Sequence, residues 1–495
     1  MNDAIDDLPG NLAWINSKQW QGCLYSSGWH PAPQVRDVIE PATGAVLGRI
    51  GIAGPKEVGE AATVASAAQL GWAATRYEER AAVLRRAAAN AEANSASLVD
   101  WLIRESGSIR AKAEFEVAVT IKAMHLAAAM PLQSTGQILP SQSGRLSIAR
   151  RVPVGVVGVI SPFNFPLYLA MRAVAPALAV GNAVLVKPDP RTAVSGGILI
   201  ARLFESSGLP AGILHVLPGD ADAGESLCAN PRVAMIQFTG STRAGRAVGR
   251  AAGENLKKVS LELGGKNALI ILDDAPMDLA IANARWSVYL HQGQICMSAG
   301  RILVHRKIAA EFSRRMAEAA HATPVGNPAT EQVALGPMIS AAQVNHALGI
   351  VRRTVEQGAT LLAGGASKDL FFQPTVLSGV RQGMSAFEEE IFAPVAAIVT
   401  FDEDAEAVRL ANDTEFGLSA AIISHSTGRA LAMGERLNVG LLHINDQTVN
   451  DDVVNPFGGV GASGNGSSIG GPANWEQFTR WQWLTLQSSP PPYPL

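Results

Sequence analysis

Val154-Gly-Val-Val-Gly-Val-Ile160 decides the fold, together with the runs that follow it at helix-length intervals: Ala183-Val-Leu-Val186, Ile213-Leu-His-Val216 and Ala234-Met-Ile-Gln-Phe238. Short β-branched runs alternating with helical stretches are the signature of a doubly wound parallel sheet. A second series starts near Asn267 and includes Ile302–Val304, Val395–Phe401 and Ala420–Ile423. The fold class is therefore α/β.

Upstream, the region from Gly54 to Met130 is rich in Ala, Glu, Arg and Leu, with apolar positions spaced as in amphipathic helices. Glu78-Glu-Arg-Ala-Ala-Val-Leu-Arg-Arg86 is the clearest case. Arg145-Leu-Ser-Ile-Ala-Arg-Arg151 alternates polar and apolar residues, as a half-exposed strand does. The longest apolar stretch, Phe165 to Val186, carries Pro166, Arg172, Pro176, Gly181 and Asn182, so it reads as a buried helix, a turn and a strand, not as a membrane span. Ser488 to Leu495 reads as an extended surface tail.

At 495 residues the chain exceeds the size at which one core stops growing, so two or three domains are expected. Its 47% hydrophobic and 17% charged residues describe a soluble globular protein. The net charge of −3 and the absence of a basic tract argue against nucleic acid as a partner. Cys23, Cys228 and Cys296 cannot build a disulfide framework and lack metal-ligand spacing, so no metal is expected and a reducing compartment is inferred. Met1-Asn-Asp-Ala-Ile-Asp-Asp7 lacks the basic start and apolar core of a signal peptide, which predicts a cytoplasmic protein.

Two short stretches carry chemistry. Cys296, inside His291-Gln-Gly-Gln-Ile-Cys-Met297, is a candidate covalent nucleophile, and Glu262 in Glu262-Leu-Gly-Gly265 is a candidate base. Taken singly, such a cysteine reads equally as a small buried hydrophobe, and such a glutamate as a solvated charge. Phe238-Thr-Gly-Ser-Thr-Arg-Ala-Gly245 is a glycine-rich turn that could offer backbone N–H groups to a phosphate, or be an ordinary helix start capped by Ser241 or Thr242.

The order Glu-Leu-Gly-Gly, then Gly-Gln-x-Cys, resembles the NAD(P)-dependent aldehyde dehydrogenase superfamily. The resemblance extends to Pro162-Phe-Asn-Phe-Pro166, Val186-Lys-Pro188, the Gly-Ser turn ending at Gly245, Glu389-Glu-Ile-Phe-Ala-Pro394 and Pro456-Phe-Gly-Gly-Val-Gly-Ala-Ser-Gly-Asn-Gly466. It implies two Rossmann-like domains with a small β oligomerisation element: residues 1–134 and 154–262 for cofactor binding, 263–445 for catalysis, and 135–153 with 446–495 as the arm and C-terminal segment. It further implies Cys296 as nucleophile, Glu262 as base, and the Asn164 amide with the Cys296 N–H as oxyanion donors. The implied cofactor contacts are Ile160, Ser161, Pro162, Phe163, Asn164, Lys187, Gly219, Gly224, Phe238, Gly240, Ser241, Gly245, Glu262, Leu263 and Gly264. Glu390 is added at the nicotinamide ribose and Phe392 near the ring. The cofactor is NAD or NADP, and the assembly a homodimer or homotetramer.

Where many NAD-dependent members place a ribose-binding Glu, this chain has Pro190, which removes the repulsion against a 2′-phosphate and opens the site to NADP. Ala393 replaces the usual Gly. Tyr289–Met297, Leu442–Gln447 and Gly470–Ala473 are similar to benzaldehyde and vanillin dehydrogenases within the superfamily, implying an aromatic aldehyde. Phe163, Tyr168, Trp286, Ile295 and Met297 are candidate pocket walls, or ordinary core. Arg172, where relatives often carry an aromatic residue, could meet a substrate's phenolic oxygen or acidic group, or a structural carboxylate. CoA-acylating relatives commonly lack the glutamate present here as Glu262, which favours hydrolysis to the acid. A catalytically idle binding protein on the same scaffold would be expected to lose the cysteine.

Overall fold

The computed structural model describes residues 17–493. The reading of Met1–Asp7 lies outside the described residues, as do the last two residues of the Pro-rich tail.

Two seven-stranded sheets organise the chain. The first runs Lys258–Glu262, Val233–Thr239, Val156–Ile160, Ala183–Lys187, Leu214–Val216, Cys23–Ser26 and Trp29–Pro31. Val156–Ile160 is central. The next two strands of the series lie to one side of it and the following two to the other, all in parallel. That reversal makes a switch point between Val156–Ile160 and Val233–Thr239, and ligands of such sheets bind outside the carboxyl ends of the strands there. The second sheet runs Thr360–Ala363, Thr375–Ser378, Val395–Phe401, Ala299–His305, Asn267–Ile271, Ser419–Ile423 and Leu441–Ile444, parallel except at its Thr360–Ala363 edge. Every residue of Asn267–Ile271 and Ser419–Ile423 is buried, which is why these strands read as unbroken apolar runs.

Four helices, Pro55–Ala74, Tyr77–Ala93, Ser95–Ser106 and Arg110–Ala129, occupy the Ala-rich region. Among the described residues, the segment Arg110–Leu132 alone is long and apolar enough to cross a membrane, yet 56% of its most apolar window is buried inside the protein. Phe165–Val186 folds as the helix Pro166–Ala179, a turn at Gly181 and the strand Ala183–Lys187. A separate antiparallel sheet joins Thr479–Gln487 to Arg145–Pro153 over their full length, with Gly136–Ile138 on the far side.

The segment after Lys187 is not one regular helix. It forms a tight turn at Pro190–Thr192, a widened π-type turn at Val194–Ile198 and only then the helix Leu199–Glu205. The cause is Glu105, whose buried carboxylate accepts the Val194 and Ser195 N–H groups at 2.8 and 2.6 Å and so substitutes for a regular first turn. Burial pushes the Glu105 carboxyl up to about 7.

Candidate active site

Glu262 ends the last parallel strand of the first sheet and Asn267 begins the strand of the second sheet that comes first in the chain, so Leu263-Gly-Gly-Lys266 carries the chain between them. Both glycines are required by close approach. A Cβ on Gly265 would stand 2.6 Å from the Cys296 carbonyl oxygen, and one on Gly264 would strike the Glu390 carboxylate. Asn267 Nδ2 donates to the carbonyls of Cys296 and Ser298 at 2.7 and 2.8 Å, while its Oδ1 accepts from Ser419 N at 2.9 Å. The loop holding Cys296 turns through His291, Gln292 and Gly293 at φ of 49°, 57° and 67°. Two non-glycine residues in that region store strain, which surrounding bonds must hold. Gln292 Nε2 donates to the Gly107 and Pro337 carbonyls at 3.0 and 2.8 Å, and Gln294 Oε1 accepts from Ile339 N at 3.0 Å.

Cys296, Glu262 and Asn164 line one cavity of about 510 Å³. Tyr168, Trp286, Ile295 and Met297 line it too, as the sequence suggests, and Phe115 and Phe457 add aromatic wall from distant positions. Phe163 is not among its walls. It packs edge-on to Phe392 at 5.9 Å between ring centres and lies under the Arg191 guanidinium at 4.4 Å. Arg172 meets a structural carboxylate: Nη1 donates to Asp451 at 2.7 Å and Nη2 to the Ile469 carbonyl at 3.0 Å. Asp451 also accepts from the Tyr168 hydroxyl at 3.1 Å and lines the cavity. Asp451 escaped sequence reading, although it lies just past Leu442–Gln447 and its doubled acid with Asp452 is a visible signal.

The electrostatics of the cavity are unusual. Both carboxylate oxygens of Glu262 are buried without a hydrogen-bond partner. Burial raises its carboxyl well above the ordinary range, against the pull of Arg172. Burial also pushes the Cys296 thiol up to about 12, with Glu390, Glu262 and Asp451 adding to it. Both shifts favour the uncharged form of the group. Asn164 Nδ2 donates to the Gln294 carbonyl at 2.8 Å and its Oδ1 accepts from Phe165 N at 3.1 Å, so one amide proton is left over.

At the switch point, Ile160, Ser161 and Pro162 leave one strand end and Phe238–Ser241 leave the other. The Ser161 hydroxyl is buried without a partner. Ser241 caps the helix Thr242–Glu254, accepting from Ala244 N at 3.4 Å, and Gly240 N donates to the Glu262 carbonyl at 3.0 Å. A Cβ on Gly224 would stand only 3.7 Å from the Lys187 methylenes, leaving a shallow cradle beside that ammonium group. A helix start, an orphan hydroxyl and a lysine fit the phosphates and ribose of a dinucleotide. Gly219 and Gly245 have packing reasons of their own: a Cβ would meet the Ala53 carbonyl at 2.6 Å in the first case and the Leu263 side chain in the second. Leu263 N donates to the Ser463 carbonyl at 2.9 Å. Glu390 accepts from Gly265 N at 2.9 Å, bringing the Glu389–Pro394 motif against the crossing, and Phe392 holds a φ of 52°.

The expectation that a 2′-phosphate would face no anion near Pro190 needs correction. Asp189 binds Arg191 through both oxygens at 2.8 and 2.6 Å, and Asp220 binds Arg36 at 3.0 and 2.6 Å. Both acids act on Lys187. The cations at that strand end are largely matched, because neighbouring acids that the motif does not include fold back onto them.

One consequence is measurable. With the thiol raised to about 12, alkylation of Cys296 by iodoacetamide in the nucleotide-free protein should accelerate about ten-fold per pH unit from 6 to 9, following the thiolate fraction. A rate that is flat over that range would mean the thiol is already ionised.

The sequence profile of the Aldehyde dehydrogenase family matches residues 29–484. A vanillin dehydrogenase from Amycolatopsis sp. is 51% identical over 485 residues, which cover 98% of this chain and 100% of that one. A benzaldehyde dehydrogenase (NAD(+)) from Pseudomonas putida is 47% identical over 477 residues, 96% of this chain and 98% of that one. Among solved structures, betaine aldehyde dehydrogenase from Staphylococcus aureus in complex with NAD+ superposes with a TM-score of 0.93 at 28% identity, over 97% of this chain and 96% of that one. Two sheets joined by a glycine crossing, with a cysteine and a glutamate facing one cavity across it, agree with these matches: the chain belongs to the aldehyde dehydrogenase family.

Proposed function

We propose that the protein oxidises an aromatic aldehyde of the benzaldehyde type to the carboxylic acid, with Cys296 as nucleophile. The observation that carries this reading is the shared cavity, where an unpartnered buried carboxylate and a thiol meet an aromatic-walled space of about 510 Å³. The names of the relatives, vanillin and benzaldehyde dehydrogenase, point to the same substrate class.

The chemistry follows from the side chains. Cys296 adds to the carbonyl carbon as its thiol proton leaves, and the ionised form of Glu262, which lines the same cavity without a hydrogen-bond partner, accepts that proton. The spare proton of Asn164 Nδ2 and the Cys296 N–H receive the charge that develops on the carbonyl oxygen. A bound nicotinamide dinucleotide supplies the hydride acceptor. Once Glu262 has passed the thiol proton to solvent, it deprotonates the water that cleaves the thioester, and the departing Cys296 thiolate is reprotonated. Phe115, Trp286 and Phe457 hold a flat ring and keep bulk water away. Arg172, bound by Asp451, stands near Glu262 and favours its ionised form once water must be activated.

Ser161, Lys187, Gly224, Gly240 and Ser241 would hold the dinucleotide, with Glu390 and Phe392 toward its nicotinamide end. We read both NAD and NADP as accepted, because Pro190 itself carries no carboxylate and the neighbouring Asp189 and Asp220 are matched by Arg191 and Arg36. The exposed Ile138, Trp481, Trp483 and Leu486 on the separate three-stranded sheet support assembly with further copies of the chain. A sedimentation mass equal to the 51.8 kDa single chain would contradict that assembly. The three unpaired cysteines support a reducing, cytoplasmic setting.

Steady-state oxidation of benzaldehyde, followed by NADH or NADPH absorbance with and without CoA, tests the reading. Turnover should not require CoA. Cys296→Ala should abolish it and Cys23→Ala should not, while Glu262→Gln should lose on the order of 10²-fold. Retained turnover in Cys296→Ala would end the assignment. For the cofactor, kcat/KM should be measurable with both dinucleotides. A preference for NAD beyond about 10³-fold, roughly 4 kcal/mol, would mean that the acids at Asp189 and Asp220 exclude the phosphate.

A further inference from the structure

The helix Pro166–Ala179 starts without a cap of its own, since its N-cap residue Phe165 makes no side-chain capping bond. Pro166 has no amide proton, so the first donors in need of partners are the Leu167 and Tyr168 N–H groups. Both donate to one oxygen of Glu116, at 2.9 and 3.2 Å. Glu116 belongs to the neighbouring helix Arg110–Ala129, so the cap is supplied across a helix–helix contact. Its other oxygen accepts from Lys112 Nζ at 2.5 Å, one turn away on the same face. Lys112 Nζ also donates to the Asn164 carbonyl at 2.7 Å and stands 4.1 Å from the centre of the Phe165 ring. Both side chains are fully buried.

A buried ion pair is a weak device for stability, because desolvation offsets the attraction and two apolar residues would serve as well. Apolar residues could not, however, grip the backbone on both sides of residue 165. The Lys112 ammonium holds the carbonyl of Asn164, and the Glu116 carboxylate holds the amides of Leu167 and Tyr168. Asn164 lies at one end of that grip, with its side chain already turned by the Phe165 N–H and the Gln294 carbonyl. Lys112, Asn164 and Cys296 border the same cavity.

We propose that Lys112 and Glu116 are positioning residues for Asn164, fixing its peptide so that the spare side-chain amide proton faces the oxygen of an aldehyde attacked by Cys296. This rests on the reading of Asn164 as an oxyanion donor. The pair touches no reacting atom and acts through Asn164.

A double-mutant cycle on the first-turnover burst of NADH from benzaldehyde tests it. Asn164→Ala should slow the burst about 10²-fold. Lys112→Met should slow it about ten-fold in the otherwise unaltered enzyme, as a displaced donor does. In the Asn164→Ala background the same change should cost less than about two-fold, because the residue it serves is gone. The KM for NAD should stay unchanged in Lys112→Met. Equal losses in both backgrounds would show a merely structural pair and overturn the proposal. A full-speed Lys112→Met burst beside a slow Asn164→Ala burst would overturn the positioning role alone. An unchanged Asn164→Ala burst would overturn the donor reading and the proposal with it. Should Lys112→Met not fold, Lys112→Gln, which keeps a neutral donor near the Asn164 carbonyl, enters the same cycle with Glu116→Gln under the same criteria.

Discussion

Two hydrogen bonds from the Asn267 amide, to the carbonyls of Cys296 and Ser298, fix the Cys296 loop to the first strand of the second sheet. The rest of the site depends on them. Asn267 stands at the end of the short crossing that begins at Glu262, so the element that clamps the thiol's loop also carries the base. A larger residue at Gly264 or Gly265 would push the Glu390 carboxylate or the Cys296 carbonyl away and separate the two halves. Cysteine and glutamate therefore face each other because the chain changes sheets between strands that are themselves held rigidly.

The same crossing explains the charge balance. Glu262, Glu390 and Asp451 all act on Cys296, and Arg172 is bound by Asp451. Burial first, and the neighbouring carboxylates after it, raise the thiol, and burial raises Glu262 against the pull of Arg172. An inactive scaffold has no need to bury Glu262 without a single hydrogen-bond partner.

Much of the architecture is legible in the sequence. Strands buried on both faces must be continuous in apolar, β-branched residues, and the runs from Val154 and from Asn267 show it. Cys296, Glu262 and Asn164 are legible as motifs because their chemistry ties them to local turns rich in glycine or proline. What escapes has a tertiary cause. Asp451, Phe115 and Phe457 reach the cavity from loops and helices far apart in the chain, and the local signals at Asp451 and Phe457 do not say that they line it. Phe163 is aromatic and beside Asn164, yet Arg191 and Phe392 draw its ring out of the cavity. Glu105 and Glu116 read as members of helices, whereas each caps a turn belonging to another segment. Pro190 reads as a missing acid, and the charge that its position leaves open is set by Asp189, which Arg191 holds through both oxygens.

The central claim is that Cys296 becomes acylated by the aldehyde and Glu262 releases it. Mixing Glu262→Gln protein with benzaldehyde and NAD, quenching in acid and mapping the peptides by mass spectrometry tests it most directly. A benzoyl group should accumulate on the peptide containing Cys296 in the variant and be scarcely present in the unaltered enzyme. An acyl group on Cys23 or Cys228, or none on any cysteine while benzoate forms, would contradict it.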